Sequence, residues 1–417
     1  MAENSPARRV AEIKDGIIGP RDPLTRNVRE RKLSDYPHVA GAHKEVARKL
    51  SSPLMMGPPI CDELLAFVEH VFTEEEAGVA QHLGSWMGMT AQALARAEHR
   101  PVEEVEPIVR RLAFEKHVIT AGGREDRRRY TLMPIFPGIF EMALFAQSPE
   151  TLTDWHRRFA ELFETLYQTG YMLDYREGSR PMVRFLSIGT MVRQDESALP
   201  TDRLEEVLDP FQVFAVGHCQ CRMAMQVLGR GCGKPLENCS VMGAAAEAAI
   251  REGSARSVSK QGLLDIKKEA EAQGLVTWVL NTASARTQIS CSCCGCCCHA
   301  MRMVSEFNAP GFLAPAHFLP KFDLSRCTFC GKCARACPMA ALRVAPARQA
   351  PGGKTHQRLV ERCIGCGLCV GACDKAHAVT MEPAANYKMP YRSFFSMLAW
   401  TTPAKLHHAL KVWSKRP

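Results

Sequence analysis

Cys327-Thr328-Phe329-Cys330-Gly331-Lys332-Cys333-Ala334-Arg335-Ala336-Cys337-Pro338 is the stretch that decides how the C-terminal part of this chain folds. It returns downstream as Cys363-Ile364-Gly365-Cys366-Gly367-Leu368-Cys369-Val370-Gly371-Ala372-Cys373. Both copies read C-x2-C-x2-C-x3-C. Three thiolates at that spacing on a tight loop reach three metal atoms of one compact centre. The small residues between them (Gly331, Ala334, Gly365, Gly367, Gly371) let backbone N–H groups approach sulfur. Zinc knuckles, the competing use, normally take two C-x2-C pairs rather than three consecutive half-spacings. The spacing therefore points to iron–sulfur chemistry.

On these motifs, residues 323–385 resemble the bacterial ferredoxin fold that carries two [4Fe–4S] clusters. The resemblance implies that the fourth cysteine of each run ligates the other cluster. One cluster is then expected on Cys327, Cys330, Cys333 and Cys373, the other on Cys363, Cys366, Cys369 and Cys337. Asp374 departs from the family, which often repeats here the proline seen at Pro338. Between the motifs, Met339 to Glu361 carries a short apolar run and a Pro/Gly turn, suited to a strand and loop joining two pseudo-symmetric halves.

Working outward, 417 residues allow several domains with substantial cores. The net charge of +9 is modest for that length. No apolar run approaches the roughly eighteen residues of a membrane span, and the N-terminus has no apolar leader core, so a cytoplasmic protein is expected. In that compartment, nineteen cysteines are expected as thiolates on metals rather than as disulfides.

A second cysteine territory lies upstream. Cys219, Cys221, Cys232 and Cys239 make a complete set of four thiolates, with Arg222 and Lys234 placed to offset their charge. Such a set suits a third iron–sulfur cluster or a structural zinc. Cys291, Cys293, Cys294, Cys296, Cys297 and Cys298 follow within eight positions. They cannot all bind one metal, because adjacent residues in extended backbone project to opposite faces. Some are expected to join the upstream site and others to form a fourth cluster or a redox pair; the alternative is that several are simply small packed residues.

Cys-Gln-Cys-Arg at 219–222, the Cys232–Cys239 segment, Gly274-Leu275-Val276, Asn281 and the Cys293–Cys297 run resemble a group of bacterial and archaeal iron–sulfur proteins. Those proteins join a winged-helix-like N-terminus to a multi-cysteine region and a terminal dicluster ferredoxin. Over residues 60–385 the resemblance implies electron carriage and names no substrate. Ser292 replaces the asparagine commoner in that group.

Residues 59–146 read as a winged-helix-like domain. Leu64, Leu65, Phe67, Val68, Val71 and Phe72 recur at helical spacing, and Thr73 caps a helix opening on three glutamates. Thr90–Ala97 and Pro101–Lys116 form the helix pair, and Val118–Leu132 the wing. The wing offers Arg124, Arg127, Arg128 and Arg129 to phosphates. The would-be recognition helix, however, opens with Glu103, Glu104 and Glu106, which argues against nucleic acid. Residues 1–58 are a basic extension, with 11 Lys/Arg against 7 Asp/Glu. A helical connector is expected over 147–215 and a Cys-rich α/β domain over 216–322. A basic aromatic tail over 386–417 suits a partner subunit, the chain's own core or a membrane surface.

Gly352-Gly353-Lys354-Thr355 lacks the earlier glycine of a phosphate-binding loop, where Arg348 stands. The Gly229–Gly233 run has the wrong spacing for a dinucleotide, and no haem attachment site occurs. The fold class expected is α+β and multidomain. The function expected is single-electron transfer between redox partners, as a carrier or oxidoreductase subunit rather than a stand-alone enzyme. Segment 323–385, with nine Lys/Arg against four acids, predicts an acidic docking face on the partner. The alternatives are a redox-sensing winged-helix regulator that binds DNA, and a reductase subunit with a substrate-binding central cluster.

Overall fold

The computed structural model describes residues 10–14, 17–21, 23–85, 87–175, 181–187, 189, 198–283, 287–309, 312–347, 353–385, 387–393, 395–397, 399, 410 and 412. Most of the C-terminal tail, and both Gly352 and Arg348, fall outside that set. The chain forms two compact units. One comprises residues 25–178, 220–231 and 403–417; the other comprises 1–24, 179–219 and 232–402.

In chain order, a short antiparallel hairpin opens the described residues, β1 (Val10–Lys14) with β2 (Ile17–Arg21). It belongs to the second unit. The first unit then begins with α1 (Gly41–Leu50), α2 (Asp62–Val71) and α3 (Glu74–Ala80). Leu64, Leu65, Phe67, Val68, Val71 and Phe72 are all buried, so the apolar stripe of α2 faces the core as its spacing predicts. Thr73 and Glu76 form a reciprocal capping box that starts α3. Glu76 is itself buried and pairs with Arg111 and Lys116. Next come α4 (Ala91–Glu98), capped by Thr90, and α5 (Val102–Phe114). The antiparallel pair β3 (Ile119–Gly122) and β4 (Arg129–Leu132) follows. Two more helices, α6 (Phe140–Phe145) and α7 (Asp154–Gln168), complete this stretch, with Phe140 stacked on Phe163 at 3.9 Å.

The second unit carries β5 (Val183–Phe185), α8 (Leu204–Leu208) and β6 (Phe214–His218). The chain then gives α9 (Gln220–Val227) to the helical unit and returns with β7 (Glu237–Gly243). It continues as α10 (Ala244–Arg251), β8 (Arg256–Val258), α11 (Lys260–Ala272), β9 (Val276–Leu280), β10 (Thr287–Cys293) and α12 (His299–Ser305). The helix α10 begins only after Gly243, because Met242 pairs with Phe214 in the sheet and Gly243 takes a φ of 67° that ends the strand.

Six strands make one antiparallel sheet in the order β5-β9-β10-β7-β6-β8. Met242, Phe214 and Leu263 pack together with Leu208 and Phe211, which places α11 on the face that carries Met242. Because strand side chains alternate, Ser240, Ser290 and Ser292 share that face. Cys239, Cys291 and Cys293 occupy the other.

The cysteine repeat is built on β11 (Phe318–Phe322), α13 (Lys332–Ala336), β12 (Leu342–Pro346), β13 (Lys354–Arg358), α14 (Leu368–Gly371) and β14 (Val379–Pro383). β11 pairs with β14 and β12 with β13, both antiparallel. The described residues of the two halves thus follow the order strand, cysteine loop, short helix, strand, with β12 and β13 paired between the motifs. No helix among the described residues is long and apolar enough to cross a membrane.

Candidate metal centres

Within the repeat, corresponding positions take the same backbone form. Phe329 and Gly365 both have positive φ, at 52° and 65°, as do Gly331 and Gly367, at 74° and 81°. These turns aim backbone N–H groups inward. Phe329 N donates to Cys327 Sγ, Ala341 N to Cys337 Sγ and Ala378 N to Cys373 Sγ, each at 3.3 Å. The second half takes one more residue between its fourth cysteine and that donor, in the segment where Asp374 replaces the proline. Lys332 meets Asp374 at 2.9 Å, tying the two halves together there.

The fourth cysteine of each run sits with the opposite run. Cys333 feels Cys327, Cys373 and Cys330 as its charged sulfur neighbours, whereas Cys366 feels Cys337, Cys369 and Cys363. Burial pushes the Cys363 thiol up to about 11 and Cys369 up to about 12, with Cys337 adding to both. Free thiolates are disfavoured in such a site, so a cation is required to hold them deprotonated. Cys330 differs. It is exposed, and the Lys332 backbone N–H, which stabilises the thiolate, lowers its pKa. The N–H···S bonds, the shared turns and the placement of Cys373 and Cys337 each beside the opposite run fit two cubane clusters.

One contact here was not legible in the repeat. His356, on β13, places Nε2 3.1 Å from Cys327 Sγ and stacks on Phe322 with ring centroids 4.1 Å apart. A histidine twenty-nine positions from its sulfur leaves no motif.

The central cysteines regroup relative to expectation. Cys232 lies with Cys294, Cys296 and Cys297, all four Sγ atoms within 4.8 Å of one another. Cys232 Sγ is 3.9 Å from Cys294 Sγ, and Cys296 Sγ is 3.6 Å from Cys297 Sγ. The chain turns over residues 295–297 instead of running extended, so neighbouring cysteines converge on one point rather than diverging. In that quartet Cys294 pushes the Cys232 thiol up, but hydrogen bonds from Cys296 and Cys297 prevail and bring it down to about 6. Cys296 and Cys297 are raised in turn.

Cys239 has a different partner. One step beyond the paired residues Ser240 and Ser290, it hydrogen-bonds Cys291. Cys293 adjoins Cys291 and Cys298. Cys219 is near enough to act on Cys291 by charge, and its backbone N–H is held by Leu236 O at 2.8 Å. Cys221 and Arg222 are buried on the first turn of α9, in the helical unit.

Lys234 directs its Nζ to Gln273 O at 2.6 Å. A buried cation that the sequence did not single out is Lys267 on α11, which is 1% exposed. Its Nζ donates to Ser290 O at 2.8 Å, Asn238 O at 3.1 Å and Ser292 Oγ at 3.3 Å. The ammonium thus lies under the strands that carry Cys239, Cys291 and Cys293 on their opposite face. Hydrogen bonds from Cys239 and Cys293, followed by the charge of Lys267, bring Cys291 down to about 6.

The two cysteine regions touch. A Cβ on Gly295 would stand 2.0 Å from Pro338 O, so only glycine lets the Cys294–Cys297 turn lie against the residue after Cys337.

Compared with known proteins, residues 319–374 match the 4Fe-4S dicluster domain family. That span includes all eight cysteines of the repeat. No curated protein and no solved structure matches the chain.

Proposed function

We propose that this chain relays single electrons between redox partner proteins, using its 4Fe-4S dicluster domain together with a metal-bearing central sheet. Cys327, Cys330, Cys333 and Cys373 hold one cluster, and Cys363, Cys366, Cys369 and Cys337 the other. When bound, the clusters supply one-electron redox chemistry at low reorganisation cost. The observation that carries the reading is the placement of each fourth cysteine among the sulfurs of the opposite run, Cys373 beside Cys333 and Cys337 beside Cys366.

The residues divide the work. Buried Cys333, Cys337, Cys366 and Cys369 hold their centres away from water, while exposed Cys330 marks the edge nearest a partner. Arg326, Lys332 and Arg335 surround that edge in the sequence, which suits an acidic docking face. In the other direction, the contact of Gly295 with Pro338 leads inward to the central cysteines. The order of α4, α5 and the β3–β4 hairpin supports a winged-helix-like domain over 59–146. Exposed Glu103 and Glu104 at the start of α5 favour protein docking there over nucleic acid.

A second reading, a reductase subunit, is favoured by one cavity. It measures about 1070 Å³, borders Cys363, and is lined by Arg358, Arg362, Asn281 and Lys388 among others. Iron and acid-labile sulfide in anaerobically purified protein test the first reading. About eight of each, in centres that a low-potential donor reduces by one electron apiece, are expected. Centres that bind but refuse electrons from any donor would overturn it.

A further inference from the structure

We infer that Cys232, Cys294, Cys296 and Cys297 bind a single tetrahedral metal ion, zinc or mononuclear iron, and not a cubane cluster. The inference does not depend on the relay reading, since a single-ion site can be structural or redox-active.

Size decides the matter. Four thiolates about 2.3 Å from one ion at tetrahedral angles stand about 3.8 Å apart. The separations of 3.9 Å (Cys232–Cys294) and 3.6 Å (Cys296–Cys297) bracket that value, and no pair in the quartet exceeds 4.8 Å. A cubane spreads its thiolates further, because each sits on a different iron. The protein supplies its own comparison. Among the described residues, no three of the eight dicluster cysteines come within the 4.8 Å limit that the quartet meets.

The chain also assembles the quartet as single-ion sites are commonly assembled, from two distant loops. Cys232 comes from the segment before β7, and the other three come from one turn after β10, sixty-two positions on from Cys232 at the nearest. Tetrathiolate sets with no histidine or carboxylate select soft, borderline ions of this class. The assignment leaves Cys219, Cys239, Cys291, Cys293 and Cys298 as a separate sulfur group in the same unit. Any further polynuclear centre of this unit is confined to that group.

Metal analysis of the full-length protein, purified anaerobically, tests this directly. Expected is one ion per chain beyond the dicluster complement, either a zinc or an iron with no matching sulfide. Cys232→Ser should lose that ion and keep the dicluster iron and sulfide. Where the ion is zinc, absorption at the zinc edge should show four sulfurs in one shell at about 2.3 Å. Where it is iron, a Mössbauer spectrum should show one isolated high-spin site. These two spectra are taken on the unaltered protein, so they decide the matter even if Cys232→Ser does not fold. Iron lost from Cys232→Ser together with equal sulfide, an ion retained in that variant, or no ion beyond the dicluster complement would each overturn the inference.

Discussion

The dicluster segment and the central sheet both gather cysteines, but they do so by opposite constructions. In the first, a loop supplies three sulfurs from one short motif, and each half repeats the turns of the other. In the second, sulfurs come from strand faces, a turn and a remote loop, so partners such as Cys239 and Cys291 are neighbours in the sheet and distant in sequence. The lesson is that spacing encodes a metal site when one loop builds it. When a sheet builds it, register does.

Cys366→Ser gives the sharpest test of that separation. Cys366 is buried among Cys337, Cys369 and Cys363, so the variant should lose about four irons and four sulfides and leave the central metal in place. Simultaneous loss of zinc or of the isolated iron would show that the two constructions are one site, and the contrast would fail.

Lys267→Met comes next. The change strands three buried acceptors that the ammonium now satisfies, at about 3 kcal/mol. Amides of β7 and β10 should exchange faster with deuterium, while those of β11 to β14 keep their protection. With the cation gone, Cys291 should also titrate higher than the value of about 6 it now has. Equal loss of protection in both regions would mean that they unfold as one.

Gly295→Ala probes the place where the regions meet. A methyl 2.0 Å from Pro338 O forces backbone apart and should cost about 2 kcal/mol. The central ion should be partly lost and the dicluster iron retained. A fully loaded variant with unchanged exchange would contradict the close approach.

Much of this was legible before folding. The C-x2-C-x2-C-x3-C repeat carries its own geometry, and Thr73-Glu-Glu-Glu76 and Thr90 announce their helices by capping chemistry that acts within four residues. The central grouping was not legible. Cys219, Cys221, Cys232 and Cys239 are close in sequence, but β7 lifts Cys239 to Cys291, and the loop before it brings Cys232 to the Cys294–Cys297 turn. Lys267 was hidden for the same reason. On its helix it reads as one of several lysines, and only the packing of α11 under β7 and β10 gives its charge a target.

His356→Phe tests a finer difference inside the dicluster segment. Phenylalanine keeps the stack on Phe322 and removes the polar contact to Cys327 Sγ. With Nε2 carrying the proton, that contact stabilises negative charge on sulfur and so favours the reduced cluster. Its loss should lower the potential of the cluster held by Cys327 by about 40 mV, the equivalent of roughly 1 kcal/mol for one electron. The potential of the Cys363 cluster should stay put. Two potentials that fall together would mean that the halves share one electrostatic environment.

Cys61→Ser should do least, which makes it the control on everything above. Cys61 is fully buried in the helical unit, and burial pushes its thiol up to about 12. At neutral pH it is a protonated, compact apolar side chain. It also occupies the N-cap of α2, with its sulfur facing the Glu63 and Leu64 N–H groups. Serine there offers those groups a stronger acceptor as it loses apolar burial, so the net change in stability should stay within about 1 kcal/mol. Iron, sulfide and zinc per chain should be those of the unaltered protein. Metal lost from this variant would mean that burial and cysteine content alone, and not the loop and sheet constructions, decide where this protein keeps its metals.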